Sequence, residues 1–264
     1  MIRDLRVFVL DKDPFARSWA ALLLARDWRT HFAGEAGTIA DMAHFIRDEK
    51  VRVDLLILGA DLAVTDQDYK DLREALLPLP RSPWVLLTGL QVDEGVLKRF
   101  APPQFMGYLI KKEICDSLAW AAALAAAGEW VVTPAVQQAV FNSGITLAGK
   151  GVVLDGRQPA AGLTGREFEA ARMAFLFSLE RHDLADELNI SKDWSYGLVS
   201  SIYKKLGLDE ILAGTIDPST FLGDNQLVLN HLRDIVSQLN GSPKARDIET
   251  LAFHIFTMPE IERF

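Results

Sequence analysis

Short apolar segments alternate with amphipathic ones along the first half of the chain. The apolar runs are rich in β-forming residues, and the segments between them repeat apolar side chains every three or four positions, which predicts alternating strands and helices. The predicted strands cover residues 5–10, 29–33, 55–58, 84–87 and 107–110. Several are apolar on both faces, as in a parallel sheet covered by helices on both sides. The pattern therefore predicts an α/β domain over residues 1–135 with a five-stranded parallel sheet.

The pattern changes over residues 136–162, where Gly, Asn, Asp and Pro interrupt the apolar runs. This composition is typical of a linker. Two short apolar runs inside it, 145–147 and 152–154, indicate a small hairpin.

From residue 163 the periodicity is helical, which predicts an all-α domain over residues 163–212 and a helical extension over 213–264. Residues 224–239 form an amphipathic helix with one apolar stripe. Because this helix lies outside the minimal domain, we interpret it as a dimerisation element.

Ligands of parallel α/β sheets bind at the carboxyl ends of the strands, so the residues that follow each strand are informative. The first predicted strand is followed by charged residues, the third by glycine, the fourth by a hydroxyl residue and the fifth by lysine. In chain order these residues are Asp11, Lys12, Asp13, Gly59, Thr88 and Lys111.

These strand ends resemble the receiver domain of response regulators. The resemblance rests on Val9-Leu10-Asp11-Lys12-Asp13-Pro14, Asp54-Leu55-Leu56-Ile57-Leu58-Gly59, Leu86-Leu87-Thr88-Gly89 and Gly107-Tyr108-Leu109-Ile110-Lys111. It covers residues 5–135 in the family's order and implies a flavodoxin-like fold in two-component signalling. It also implies a phosphorylation site with an aspartate nucleophile, Mg²⁺ on acidic side chains, a hydroxyl and a lysine.

Two positions depart from the family's pattern. Gly59 stands where the nucleophile belongs, and Lys12 stands where the second acidic metal ligand belongs. A lysine repels Mg²⁺, and its ammonium group can instead pair with Asp11 or Asp13. We interpret residues 1–135 as a pseudo-receiver that takes no phosphate, with Thr88 and Lys111 kept as scaffold. Asp61 is the alternative phosphate acceptor.

The helical half resembles the LuxR/NarL-type helix-turn-helix domain. The resemblance rests on Leu163-Thr164-Gly165-Arg166-Glu167-Phe168-Glu169, Asp183-Leu184-Ala185-Asp186-Glu187-Leu188 and Val199-Ser200-Ser201-Ile202-Tyr203-Lys204-Lys205-Leu206-Gly207. Thr164 and Glu167 have the spacing of a capping box, Ser191 can cap the recognition helix and Gly207 can end it. An OmpR-type winged helix is the alternative, because Leu154-Asp155-Gly156-Arg157 before residue 163 resembles its lead-in.

The resemblance implies that the recognition helix contacts DNA. The predicted contacts are Lys192, Trp194, Ser195, Tyr196, Ser200, Ser201, Lys204 and Lys205. Residues 163–208 contain 6 basic and 7 acidic side chains, so the domain lacks the positive charge that phosphate binding favours. We therefore keep two hypotheses: a DNA-binding regulator, as a homodimer on two half-sites, and an adaptor that binds a protein partner.

Composition narrows the function classes. The chain has 264 residues, a net charge of −8 and one cysteine, Cys115, which excludes an intramolecular disulfide and a cysteine zinc site. No apolar run reaches the length of a membrane span, and the first residues lack a signal-peptide pattern. We expect a cytoplasmic protein without catalytic residues, metal or cofactor.

Overall fold

The computed structural model describes residues 5–49, 51–99, 105–143, 151–157, 162–215, 226–238 and 245–264. The side chains at positions 227, 228, 231, 238 and 245–247 are outside this description. The chain divides into two compact units: unit 1 is Met1–Arg157 with Pro259–Phe264, and unit 2 is Gln158–Met258.

Unit 1 is built on one sheet whose first five strands are parallel. These strands are β1 (Leu5–Leu10), β2 (Thr30–Ala36), β3 (Leu55–Gly59), β4 (Trp84–Gly89) and β5 (Phe105–Ile110). They lie in the order β2-β1-β3-β4-β5, which is the order of flavodoxin-like doubly wound sheets. The predicted parallel α/β sheet is therefore confirmed in these five strands.

Helices connect these five strands and follow the last of them. They are α1 (Pro14–Arg26), α2 (Ile39–Glu49), α3 (Asp66–Leu76), α4 (Glu94–Arg99), α5 (Lys111–Ile114) and α6 (Leu118–Ala126). Among these elements, alanine-rich α6 packs against α1, β1, β2 and β4, and eight of its nine side chains are buried. A helix that is apolar all round belongs in a core, which explains why α6 shows no amphipathic stripe.

Within the part of the chain that the structure describes, the sheet has eight strands, so the predicted count of five is wrong. The additional elements are β6 (Trp130–Val132), α7 (Pro134–Ser143), β7 (Gly151–Asp155) and β8 (Glu260–Arg263). β6 and β7 extend the parallel sheet beyond β5, and β8 closes it as an antiparallel edge strand. The buried side chains of Val131, Val132 and Val152 provide the apolar contacts that hold this extension to the sheet.

The predicted linker over 136–162 is accordingly corrected. Its first part is α7, and its middle part is β7, so unit 1 continues past residue 135 to Arg157. β7 pairs with β6 on one side and with β8 on the other. The predicted hairpin partner, 145–147, lies outside the described residues, and both edges of β7 are already occupied.

All the regular elements that the structure describes in unit 2 are helices. Its helices are α8 (Gly165–Phe175), α9 (Arg181–Glu187), α10 (Lys192–Lys205), α11 (Leu208–Leu212), α12 (Gln226–Gln238) and α13 (Ala245–Phe256). The Phe256 ring of α13 lies 5.0 Å from the ring of Phe168 and 6.0 Å from that of Phe175, both in α8. α13 is therefore part of the core of unit 2.

The helical extension predicted over 213–264 needs two corrections. Its last residues form the strand β8, which belongs to unit 1. In α12, the side chains of Leu229, Leu232 and Ile235 are buried within the chain. Leu232 and Ile235 belong to the predicted apolar stripe, and their part of the stripe is therefore unavailable as a dimer interface. Within the described residues, no helix is both long enough and apolar enough to cross a bilayer.

Candidate functional site

The sheet brings Asp11, Thr88 and Lys111 together at the carboxyl ends of β1, β4 and β5. The Lys111 ammonium group lies 2.7 Å from one carboxylate oxygen of Asp11, and the other accepts a hydrogen bond of 2.9 Å from the backbone N–H of Asp13. Asp11 and Thr88 are buried, whereas Lys111 keeps part of its surface exposed. Both oxygens of Asp11 are thus engaged by the protein itself.

The sequence indicated that Lys12 can pair with Asp11 or Asp13, but the structure places its ammonium group at Asp61. Its ammonium group donates a hydrogen bond of 2.8 Å to the backbone oxygen of Asp61 and lies 3.7 Å from the Asp61 carboxylate. Successive side chains of an extended segment point in opposite directions, so Lys12 faces outward where Asp11 faces inward. Asp13 instead caps α1 by accepting a hydrogen bond from the backbone N–H of Phe15.

Gly59 ends β3 beside two carboxylates. A Cβ atom built at this position would lie 3.0 Å from an oxygen of Asp61 and 3.1 Å from an oxygen of Asp11. A carboxylate placed here would stand next to two like charges, which disfavour its ionised form. Glycine, which has no Cβ atom, fits at the end of β3 without displacing Asp11 or Asp61.

Tyr108, which the sequence analysis did not identify as a site residue, fixes the loop after β4. Its hydroxyl donates a hydrogen bond of 2.9 Å to the backbone oxygen of Gln91 and accepts one of 3.3 Å from the N–H of Asp93. Burial raises the pKa of Tyr108, so the hydroxyl stays protonated to a higher pH than that of an exposed tyrosine. Tyr108 lies within β5, whereas Lys111 is the first residue of α5, immediately after the strand.

A cavity of about 260 Å³ opens beside the Asp11–Lys111 pair. Its polar lining residues lie at the strand ends, and its apolar walls come from the strands, α1 and the α5–α6 segment. The lining consists of Val9, Asp11, Phe15, Ala16, Trp19, Ala20, Ile57, Thr88, Lys111, Ile114, Cys115 and Leu118. The sequence analysis named the polar members but missed the apolar walls. The i, i+4 spacing of Phe15 and Trp19, which puts both rings on one face of α1, could have indicated part of these walls.

The cavity wall bends sharply at Cys115. This residue has φ 47°, outside the regions that non-glycine residues favour, and it separates α5 from the short helical turn before α6. Its thiol donates a hydrogen bond of 3.2 Å to the backbone oxygen of Lys112.

Among the described residues, His, Cys, Asp and Glu side chains form no group of three able to hold a metal ion.

In unit 2, α9 and α10 are joined by four residues, Leu188 to Ser191. Asn189 adopts the left-handed conformation (φ 50°) in this connection, and Ser191 caps α10 by accepting a hydrogen bond from the N–H of Trp194. A turn of three or four residues between two packed helices is typical of helix-turn-helix units. α8, α9 and α10 pack against one another.

The predicted caps of this unit are confirmed. Thr164 and Glu167 form a reciprocal capping box at the start of α8. α10 ends at Lys205, two residues before Gly207, which adopts the left-handed conformation with φ 62°.

Most of the predicted DNA-contact residues lie on the solvent-facing side of α10. Lys192, Trp194, Tyr196, Ser200, Lys204 and Lys205 are exposed, and Ser201 is half-buried. Ser195 is fully buried, so its predicted contact with DNA is wrong. Its hydroxyl lies 2.8 Å from the backbone oxygen of Arg181 and 2.7 Å from that of Lys192, facing the interior of unit 2.

Two side chains at the ends of α10 already have partners within the unit. The Lys205 ammonium group donates a hydrogen bond of 2.8 Å to the Glu167 carboxylate. Together with the N–H of Thr164, this contact lowers the pKa of Glu167 to about 2. At the other end, the guanidinium of Arg166 lies 4.7 Å from the centre of the Trp194 ring, within the range of a cation–π contact.

Comparison with known proteins gives no family assignment. No protein-family model matches the chain, and no curated protein matches it. Among solved structures, the response regulator ChrA of a heme-sensing two-component system is 23% identical, with 77% of this chain and 90% of ChrA covered and a TM-score of 0.39.

Two further solved structures are similar. RcsB from Salmonella typhimurium, in a structure concerned with conformational dynamism for DNA interaction, is 15% identical, with 88% of this chain and 99% of RcsB covered and a TM-score of 0.43. The signal receiver domain of NarL from Mycobacterium tuberculosis is 22% identical, with 48% of this chain and 98% of that domain covered and a TM-score of 0.37. These identities and scores are too low to assign a function to this chain.

Proposed function

We propose that this chain is a DNA-binding transcriptional regulator of the response-regulator type whose receiver-like unit works without phosphorylation. The observation that carries the proposal is α10, which follows a four-residue turn and presents Lys192, Trp194, Tyr196 and Lys204 to solvent. Recognition helices place their N-terminal residues against base edges and use basic residues on phosphates. Lys192, Trp194 and Tyr196 lie in the N-terminal part of α10, where side chains contact base edges. Lys204 is a basic residue suited to a phosphate contact.

The strand-end residues support control without phosphorylation. Gly59 offers no nucleophile, and an added side chain would meet Asp11 and Asp61. Asp11 is the acidic residue that still matches the metal-binding pattern of receivers, and it is bound to Lys111. Lys12 adds a second ammonium group nearby. Two positive charges at this place oppose Mg²⁺ binding. Control would then come from dimerisation, a protein partner or a ligand.

The DNA-binding part is tested with purified full-length protein and fragmented genomic DNA at two salt concentrations. We expect discrete enriched sequences whose recovery falls at the higher salt, because phosphate contacts release counterions. Tyr196→Ala should relax sequence preference, whereas Lys204→Ala should weaken binding to all sequences about equally.

Lys70→Ala provides the matched control for that experiment, because Lys70 is exposed on α3 in the other unit. It should leave DNA recovery unchanged. Recovery that is independent of salt and of both α10 substitutions would contradict the proposal.

The receiver part is tested by intact mass after treatment with a small phosphodonor and Mg²⁺, with an active receiver treated in parallel. We expect no added phosphate on this chain. A phosphate that appears and is lost in Asp61→Ala would show that Asp61 is a displaced acceptor.

An adaptor is the second candidate, because the exposed face of α10 is poor in free positive charge. Lys205 is bound to Glu167, Arg166 stacks on Trp194, and the 163–208 segment has more acidic than basic residues. Exposed Trp194 and Tyr196 suit a protein interface. This hypothesis predicts a stoichiometric protein partner that is lost in Tyr196→Ala, together with no enriched DNA.

A further inference from the structure

We propose that the cavity beside the Asp11–Lys111 pair binds a small, uncharged aromatic molecule that carries one hydroxyl or carbonyl group. The proposal concerns unit 1 alone, so it stands or falls independently of DNA binding by unit 2. If both hold, the ligand is the input that replaces phosphate.

The walls of the cavity determine the body of the ligand. Phe15, Trp19 and Leu118 face the cavity from the helical side, and Val9 and Ile57 face it from the sheet. Phe15 is 85% exposed although it lines the cavity, so an apolar ring stands at the mouth. Rings in van der Waals reach of one another stack or meet edge to face, which favours a flat aromatic guest over a branched aliphatic one.

Charge determines the rest of the ligand. The ionisable side chains in the lining are Asp11, Lys111 and Cys115. Asp11 and Lys111 neutralise each other at 2.7 Å, and the thiol acts as a hydrogen-bond donor. An anion would have to compete with Asp11 for Lys111, and a cation with Lys111 for Asp11. An uncharged guest leaves the Asp11–Lys111 pair intact, so neither charge has to be buried without its partner.

One polar end of the cavity can still form hydrogen bonds with such a guest. The Lys111 ammonium group is bonded to Asp11 but has three donor hydrogens and is 26% exposed. The buried Thr88 lies in the same lining. A hydroxyl or carbonyl oxygen accepts from such donors, and a hydroxyl can also donate. The volume lies just below the usual range of drug-sized sites, so the guest has about one or two rings.

The test uses the full chain and three bicyclic probes that differ in charge: 2-naphthol, 2-naphthoate and 2-naphthylmethylamine. Binding is measured at neutral pH by calorimetry and by saturation-transfer NMR. We expect saturable one-site binding of 2-naphthol, with each charged probe about tenfold weaker or more. Absence of saturable binding by 2-naphthol, or equal binding of all three probes, would overturn the proposal.

Cys115 gives a readout that needs no substitution. It lines the cavity and is the chain's single cysteine, so alkylation by iodoacetamide adds one label that intact mass reports directly. Bound 2-naphthol should slow this alkylation in proportion to its occupancy, and 2-naphthoate should protect less at the same concentration. Unchanged alkylation under saturating 2-naphthol would place its binding elsewhere.

Three variants localise the binding. Ala16→Phe fills the cavity and should abolish 2-naphthol binding, whereas Ala25→Phe, exposed on the same helix and outside the lining, should leave it unchanged. Thr88→Val keeps the shape but removes the hydroxyl, and should weaken binding roughly fivefold. Thermal unfolding checks that each variant folds. If Ala16→Phe does not fold, the protection of Cys115 decides. Binding that survives in folded Ala16→Phe contradicts the assignment.

Discussion

At the scale of single residues, the Glu167–Lys205 ion pair links the first turn of α8 to the last residue of α10. Glu167 is also half of the capping box, so one carboxylate serves two helices. Lys205→Ala removes the charged partner, and we expect the free energy of unfolding to fall by about 1 kcal/mol, a value lowered by the partial exposure of the lysine. Chemical denaturation measures this change, and Lys204→Ala, one position away and exposed, should change it little.

The pH dependence of that difference follows from the lowered pKa of Glu167. The carboxylate is held ionised in the folded protein, with a pKa of about 2 against an ordinary value of 4.5. The stabilisation is therefore fully present above about pH 4.5 and is lost as the pH falls towards 2. Denaturation curves of the native chain and Lys205→Ala should converge over this window. A difference that stays constant down to pH 2 would mean that the pair contributes nothing.

Single residues also show which parts of the site the sequence could predict. The caps at Thr164 and Ser191 follow from spacing alone, because a cap and its partner lie within one turn of helix. The partner of Lys12 was predicted wrongly, because it depends on a turn after a different strand, 49 positions along the chain. The burial of Ser195 was missed for the same reason, since Arg181 of another helix accepts its hydrogen bond.

At the scale of elements, α10 contains a glycine in its interior. A Cβ atom built on Gly197 would meet nothing within 4 Å. Gly197→Ala should therefore stabilise unit 2 by about 1 kcal/mol, because alanine loses less backbone freedom in a helix. Ser200→Ala, exposed on the same helix, should give a smaller gain. Thermal unfolding of the three proteins tests this order.

The same substitution tests why glycine occupies this place. If a DNA backbone or a partner approaches α10 closely at Gly197, the alanine variant will be more stable and yet bind more weakly. Equal binding would leave Gly197 without an assigned role. A loss of stability would contradict the open environment around the residue.

Elements also limited the sequence-based prediction of the fold. The first five strands were predictable, because each is a run of apolar residues long enough to show its period. β6 has only three residues, too few to show a period, and β7 follows a segment interrupted by glycine, so its local pattern resembled a linker. β8 has only one buried side chain, Ile261, between exposed charged residues. Such strands are specified by pairing with a neighbour, which no local window contains.

At the scale of the whole molecule, unit 2 is inserted between β7 and β8 of unit 1. Asp155 pairs with Glu260, so the two ends of the insertion meet across neighbouring strands. A chain in which residues 158–258 are replaced by Asn-Gly joins them through a hairpin loop of ordinary length. We expect this chain to fold. It should unfold about 4–8 °C higher than a chain ending at Arg157, because β8 adds the buried side chain of Ile261.

The chain ending at Arg157 is the matched control, since it keeps the contacts of Gly156 and Arg157 with Glu113. Equal unfolding temperatures would show that β8 adds no stability. Loss of folding in both chains would show that unit 1 depends on the insertion.

The antiparallel pairing of β7 with β8 also has a consequence for protein synthesis. Translation is vectorial, so β7 leaves the ribosome well before β8, and the whole of unit 2 is translated between them. During that interval the outer edge of β7 has unpaired backbone groups, which are a template for pairing with other chains. Slow translation of the helical segment would lengthen this exposure. Nascent chains stalled within unit 2 should therefore associate with chaperones or aggregate more readily than released protein.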